Sequence, residues 1–231
     1  MSLIRKIGLR LAGENETGIR SYSQSGEDCI LWFLSQASGI NQPSYIDIGA
    51  FDPFHINNTA MMYERGCRGI NVEPNLTRYN AFVRQRKEDI NLNAAVSDHS
   101  GTGTFFEMSQ PTLSTILEEE AVRLESNGSS TIKSRTPIQL LTMQDIINQH
   151  CKGIFPAILC IDTEGLEDLI LGQLNQMESQ PAIVCAESVE YAGDKFGRKK
   201  TELIEMMRSM DYSVYADTFI NTIFLKNRYW K

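Results

Sequence analysis

Two runs in this chain, Ala157-Ile-Leu-Cys-Ile161 and Ala182-Ile-Val-Cys-Ala186, contain no charged side chain. A strand that is apolar on both faces must be covered on both faces. That is the situation of an inner strand in a parallel sheet flanked by helices. Helical spacing follows each run: Leu166, Leu169, Ile170 and Leu174 after the first, and Leu203, Ile204, Met207 and Met210 after the second. The same alternation recurs upstream. Ser44-Tyr-Ile-Asp-Ile48 reads as a first strand ending at Gly49, and Gly69-Ile-Asn-Val-Glu73 as a second closed by Pro74. Residues 90–96 read as a third. Asn57 or Asn58 is placed to cap a helix through Met61, Met62 and Tyr63, and Asn75 to start one bearing Leu76, Tyr79, Phe82 and Val83. Ser25 can cap a helix over residues 27–38 with Gly39 past its end, and Thr142 one carrying Ile146 and Ile147. Thr104-Phe-Phe106 reads as an added antiparallel piece, and residues 213–216 and 222–225 as a closing hairpin pair.

The expected architecture is α/β: one open, mostly parallel sheet with helices on both faces and an antiparallel finish. A length of 231 residues suits a single domain, expected over residues 22–231. Residues 1–21 read as an N-terminal extension. In it Leu3, Ile4, Ile7 and Leu11 stand at helical spacing with Arg5, Lys6 and Arg10 between them. That pattern suits either a packing helix or a basic amphipathic anchor. The stretch 118–135 is polar and contains Ser126-Asn-Gly-Ser-Ser130, so it reads as a surface insertion. The wider segment 110–137 is expected to form a lid over the strand ends, with Thr112-Leu-Ser-Thr115 lining an acceptor pocket.

Charge and cysteine usage exclude several classes. The formal net charge is −7, so no broad basic field is available to hold a phosphate backbone, and nucleic acid is not an expected partner. No apolar run reaches the ~18–20 residues of a membrane span, and the N-terminus lacks the apolar core of a secretory signal. The cysteines, Cys29, Cys67, Cys151, Cys160 and Cys185, are odd in number and form no CxxC pair. Disulfides and a thiolate zinc site are therefore not expected, and a reducing cytoplasm is.

The chemistry-bearing residues fall at strand ends. Asp47-Ile-Gly-Ala-Phe-Asp52 closes the first strand. Gly49 lets backbone approach a ligand, but Ala50, Phe51, Asp52 and Pro53 follow in place of the glycine turn that a pyrophosphate needs. Asp52 would repel a diphosphate, and the acidic loop suits a ligand of cationic character. Glu73 ends the second strand, where a carboxylate can accept from both hydroxyls of a ribose. That device serves dinucleotides and S-adenosylmethionine (SAM) alike, and the missing phosphate loop favours SAM. Asn93-Ala-Ala-Val-Ser-Asp98 brings the small residues Ala94 and Val96 to the same edge, leaving room for an adenine face. In Ile161-Asp-Thr-Glu-Gly165, Asp162 and Glu164 follow a buried strand, and Glu187 ends the next. Burial and mutual repulsion raise carboxylate pKa values, as a general base requires. The three acids could equally converge as oxygen ligands for a divalent cation such as Mg²⁺. For Asp162, cofactor contact and catalysis both stay open. His55 lies beside the first loop, as a proton acceptor or a packing residue.

Six motifs in order carry a resemblance: Ser23-Gln-Ser-Gly-Glu-Asp28, Tyr45-Ile-Asp-Ile-Gly-Ala-Phe-Asp-Pro53, Asn58-Thr59, Gly66-Cys-Arg-Gly-Ile-Asn-Val-Glu-Pro-Asn75, Asn93-Ala-Ala-Val-Ser-Asp98 and Ile161-Asp-Thr-Glu-Gly165. Together they resemble the FkbM family of SAM-dependent methyltransferases, over about residues 22–187. Family members often carry Trp where Cys67 stands and Lys or Ser at the position of Cys160. The resemblance implies a Rossmann-like class I methyltransferase fold with a seven-stranded sheet, and O-methylation of a hydroxyl on a sugar, polysaccharide or natural product. It implies cofactor contacts at Gln24, Gly26, Asp47, Gly49, Ala50, Asp52, Asn58, Thr59, Glu73, Pro74, Asn75, Ala94, Val96 and Asp162. Asp162, Glu164, Glu187 and His55 are the candidate proton acceptors. N-methylation of an amine and SAM binding without turnover are the rival readings.

Overall fold

In the computed structural model, residues 18–190 and 197–230 are described. The expected N-terminal helix lies outside the described residues. In chain order the elements are α1 (Glu27–Ala37), β1 (Tyr45–Ile48), α2 (Ala60–Glu64), β2 (Gly69–Val72), α3 (Leu76–Gln85), β3 (Ile90–Leu92), β4 (Ala95–Val96), β5 (Gly101–Met108), α4 (Glu118–Ser126), β6 (Ile132–Leu141), α5 (Met143–Cys151), β7 (Ile158–Ile161), α6 (Glu167–Gly172), β8 (Ile183–Glu187), β9 (Val189–Glu190), β10 (Arg198–Lys199), α7 (Thr201–Ser209), β11 (Tyr212–Asp217) and β12 (Asn221–Lys226).

Seven strands form the main sheet in the order β11-β12-β8-β7-β1-β2-β3. All neighbours pair in parallel except β12, which runs antiparallel to both β8 and β11. This is the expected open sheet with an antiparallel finish. The alternation of side chains along each strand explains the all-apolar runs. Ile46, Ile48, Leu159, Ile161 and Val184 pack on one face with Ile146, Ile147, Leu203 and Met207. Tyr45, Ile158, Cys160, Ile183 and Cys185 pack on the other with Leu31, Leu34 and Met62. Both faces are covered, which is why residues 158–161 and 183–186 carry no polar alternate.

Local signals hold at some helix ends and fail at others. Asn75 caps α3, accepting from the amides of Thr77 and Arg78. Thr142 and Asp145 form a reciprocal capping box on α5. Ser25 does not cap α1. Gly26 stands at that position with φ 89° and no side-chain cap. The buried carboxylate of Asp28 instead faces the preceding segment, taking the Tyr22 amide at 2.7 Å and the hydroxyls of Ser21 and Ser23. Ahead of α2, Asn57 accepts from the Thr59 amide at 3.0 Å, so the turn closes one step before the helix.

The largest difference from expectation lies between residues 93 and 141. The third strand stops at Leu92. Ala95 and Val96 leave the main sheet and pair in parallel with β6, which also pairs antiparallel with β5 along most of its length. The polar stretch 118–135 is thus a helix and half of a long strand. Phe106, Met108, Leu113, Ala121 and Leu124 form a small core beneath them. Lys133, Arg135, Thr136 and Pro137 are exposed, which hides the strand character of β6. Among the described residues no helix is long and apolar enough to cross a membrane. All five cysteines are free.

Candidate functional site

The chain order reverses at β1, with β2 on one side and β7 on the other. Ligands of open parallel sheets bind outside the carboxyl ends of the strands at such a point. A cleft of about 330 Å³ opens there, roofed by residues 110–116 of the β5–α4 connection. That volume is at the lower end of small-molecule sites.

Gly49 makes the floor. It has φ 73°, and its amide donates to the Val72 carbonyl at 3.0 Å. A Cβ here would lie 1.7 Å from the carbonyl oxygen of Asp162. The ends of β1 and β7 are that close because the Asp162 amide donates to the Ile48 carbonyl at 3.0 Å. Two carboxylates flank this floor. Asp47 is buried, and its Oδ2 accepts from Thr59 Oγ1 at 2.7 Å and Asn57 Nδ2 at 3.1 Å. Burial raises its pKa against the opposing pull of Arg86, Thr59 and Asn57. Glu73 accepts the Phe51 and Asn75 amides, each at 2.8 Å. Burial pushes it up to about 7, against those two amides and Arg78. Asn93 Nδ2 pins the turn beside it, donating to the carbonyls of Glu73 and Pro74 at 2.9 Å. Arg78 lies over the Phe51 ring, 3.5 Å from its centroid.

The opposite wall carries Asp162, Glu164 and Glu187. Asp162 keeps solvent-accessible surface but sits within the cleft walls. Enclosure by protein, then the charges of Glu167 and Asp47, raise it to about 7 against the pull of Lys200. Enclosure and neighbouring acids also hold Glu164 and Glu187 well above the ordinary carboxylate range. Glu164 has φ 54°, and its carbonyl accepts from Thr115 Oγ1 at 3.3 Å, which ties this turn to the roof. Glu167 is fully buried. Its oxygens accept from the Thr163 amide and hydroxyl, the Gly165 amide, and Lys200 Nζ at 2.8 Å. Burial raises Glu167, but Lys200 and Thr163 outweigh it and keep the group below its usual range.

Of the residues expected to contact a cofactor, Gln24, Asp47, Gly49, Ala50, Asn58, Glu73, Pro74, Asn75, Ala94, Val96 and Asp162 line the cleft. Gly26, Asp52 and Thr59 do not. Gly26 serves the start of α1. Asp52 Oδ1 accepts the Phe54 and His55 amides at 3.0 Å, which closes a turn. Thr59 stands behind Asp47. His55 is exposed and outside the lining. Residues that sequence reasoning missed are Asn57, which holds Asp47, and Glu167 with its partner Lys200.

The acidic wall does not fit a divalent cation. Asp162, Glu167 and Glu187 can bring oxygens within 4.8 Å of one another, and Glu164 is not part of that group. Glu167 is committed to Thr163, Gly165 and Lys200. The ammonium of Lys200 already supplies positive charge where Mg²⁺ would need open oxygen ligands. What remains is a cleft with carboxylates on both walls and a backbone floor that only glycine permits.

A family model described as the methyltransferase FkbM domain matches residues 47–214. A search of curated proteins finds no match. Among solved structures, the chain is similar to a candidate O-methyltransferase from Klebsiella pneumoniae, with 10% identity, coverage of 98% of this chain and 91% of that one, and a TM-score of 0.42. The family match starts at Asp47 within β1 and runs into β11, across most of the cleft and most of the sheet, and the chain therefore belongs to the FkbM family of methyltransferases.

Proposed function

We propose that this methyltransferase carries a methyl group from SAM to a hydroxyl of a small-molecule or glycan acceptor. The observation that supports the reading most is the set of carboxyl groups that line the cleft. Asp47, Glu73, Asp162, Glu164 and Glu187 line it, and no glycine turn offers amides to a diphosphate. Such a donor set suits a sulfonium cation with an adenosine and repels a dinucleotide. Asp47, Gly49, Ala50, Glu73, Pro74, Asn75, Ala94 and Val96 would hold SAM along the β1–β2–β4 edge, with Gln24 and Asn58 at one end and Asp162 near the exchange of groups. When bound, SAM supplies an electrophilic methyl on a good leaving group.

The chain's own residues do the rest. Two reactants held in register can save roughly 7–11 kcal/mol of barrier. A neutral hydroxyl must lose its proton as it attacks, so a base is needed. Asp162 is our candidate base, because its raised pKa suits proton exchange near neutral pH. Glu187 assists, and Glu164 helps to keep the wall acidic. Segment 110–137 acts as the acceptor-side cover, and Thr112 and Ser114 offer hydroxyls to a polar acceptor. The free thiols fit a reducing cytoplasmic setting.

Transfer of isotope-labelled methyl from SAM to a panel of sugars, glycan fragments and amines tests this reading. Label on hydroxyl oxygen is expected. Label confined to amine nitrogen would contradict O-methylation.

A further inference from the structure

Arg86 is completely buried with its ion-pair partner Asp89. A buried ion pair is a poor source of stability, because well-packed apolar residues serve as well. The guanidinium has other work. Its Nε donates to Asp89 Oδ2 at 3.0 Å and its Nη2 to Tyr45 Oη at 2.8 Å. The remaining donors go to the two side chains that hold Asp47: Nη1 to Asn57 Oδ1 at 3.0 Å, and Nη2 to Thr59 Oγ1 at 2.9 Å. A hydroxyl has one proton to give. Thr59 Oγ1 receives a hydrogen bond from a cation, and its own proton has the Asp47 carboxylate at 2.7 Å as a shorter, charged acceptor than Asn57 Oδ1 at 3.1 Å. Asn57 Oδ1 receives from Arg86 and from the Thr59 amide, which turns its Nδ2 toward Asp47 Oδ2 and the Ala50 carbonyl. Two paths of hydrogen bonds thus lead from the buried cation to Asp47, one through Thr59 and one through Asn57.

We propose that Arg86 is a positioning residue that acts through Thr59 and Asn57 to keep the Asp47 carboxylate charged and aimed into the cofactor site. The inference rests on Asp47 being a cofactor contact, as argued above. Arg86 does not line the cleft, so it acts on Asp47 through these partners and through its own positive charge. The other charged and titratable groups around Asp47 are Asp89 behind it, Glu73 at the end of β2, and Cys160 and Asp162 on and after β7. All of them stay when Thr59 is changed. Removing the Thr59 donor takes away a hydrogen bond to the charged form, so Asp47 accepts a proton at a higher pH. Its hold on a cationic ligand then weakens as pH falls.

Arg86→Ala would strand Asp89 in the core and is a poor test. Thr59→Val keeps the shape while removing both the accepting and the donating role, and Thr59→Ser restores them. SAM is titrated by calorimetry into the full-length wild type and both variants at pH 6 and pH 8, with urea unfolding alongside. Thr59→Val is expected to bind SAM about tenfold more weakly than wild type at pH 6, with a smaller loss at pH 8, while Thr59→Ser stays close to wild type. An equal loss at both pH values, no loss, or a serine variant as impaired as the valine variant overturns the relay alone. A wild-type protein that does not bind SAM overturns the cofactor reading and the relay with it.

Discussion

Replacing Gly49 with Ala should be far more damaging than its single methyl group suggests. Two costs act together. The backbone at Gly49 has φ 73°, and an L-residue held in the left-handed region costs roughly 1–2 kcal/mol. The new Cβ would also lie 1.7 Å from the Asp162 carbonyl oxygen, which is backbone and cannot rotate away. The ends of β1 and β7 must part, and the bond from the Asp162 amide to Ile48 is lost or stretched, for another ~1 kcal/mol or more. The sum is about 3 kcal/mol, a large share of a typical ~5–15 kcal/mol stability. Gly39 supplies the control. It has φ 77°, but a Cβ added there would meet nothing within 4 Å, so Gly39→Ala carries only the backbone cost. Urea unfolding of both variants separates the two contributions, and SAM titration of the folded fraction reports on the floor of the cleft. Equal destabilisation by the two substitutions would refute the close-approach argument.

Further outcomes follow from the acidic wall. Asp162→Asn should abolish turnover while leaving SAM binding measurable; a folded variant with full activity would remove Asp162 as the base. Because Asp162 is raised to about 7 and the base must be ionised, kcat should rise with pH through about 7, and a profile flat down to pH 5 would contradict that role. Lys200→Met should cost about 3 kcal/mol in urea unfolding, because it leaves Glu167 charged and buried without its cation, and it should not be rescued by Mg²⁺. Stripping with EDTA should leave methyl transfer unchanged, since Glu167, one of the three acids that could meet at a cation, is already held by Thr163, Gly165 and Lys200.

The main sheet was legible because its inner strands are buried on both faces, so their sequences are forced to be apolar. The same forcing is absent in β6, whose exposed Lys133 and Arg135 made it read as loop. It is also absent in α4, which buries only Ala121 and Leu124 behind three leading glutamates. At the cleft, the acids after β1, β2, β7 and β8 stood out because strand ends are where chemistry gathers in such sheets. Glu167 did not stand out, since an acid in the first turn of a helix is ordinary. Its meaning depends on Lys200, which reaches it from the start of α7. Arg86 was invisible for a similar reason. It sits in Arg84-Gln-Arg-Lys-Glu-Asp89, a run that reads as solvated surface. Only the fold reveals that two of those charges, Arg86 and Asp89, face inward. Asp52 and His55 went the other way: the motif singled them out, and the turn that they form consumes Asp52 within its own backbone.

The claim on which the chemistry depends is that the carboxylate-lined cleft accepts an adenosyl sulfonium and refuses a dinucleotide. Calorimetry of the purified full-length chain with SAM, S-adenosylhomocysteine and NAD tests this most directly. Saturable heat with SAM and S-adenosylhomocysteine, weakened in Glu73→Ala and absent with NAD, is the expected result. No heat with either adenosyl ligand, or equal heat with NAD, would contradict it.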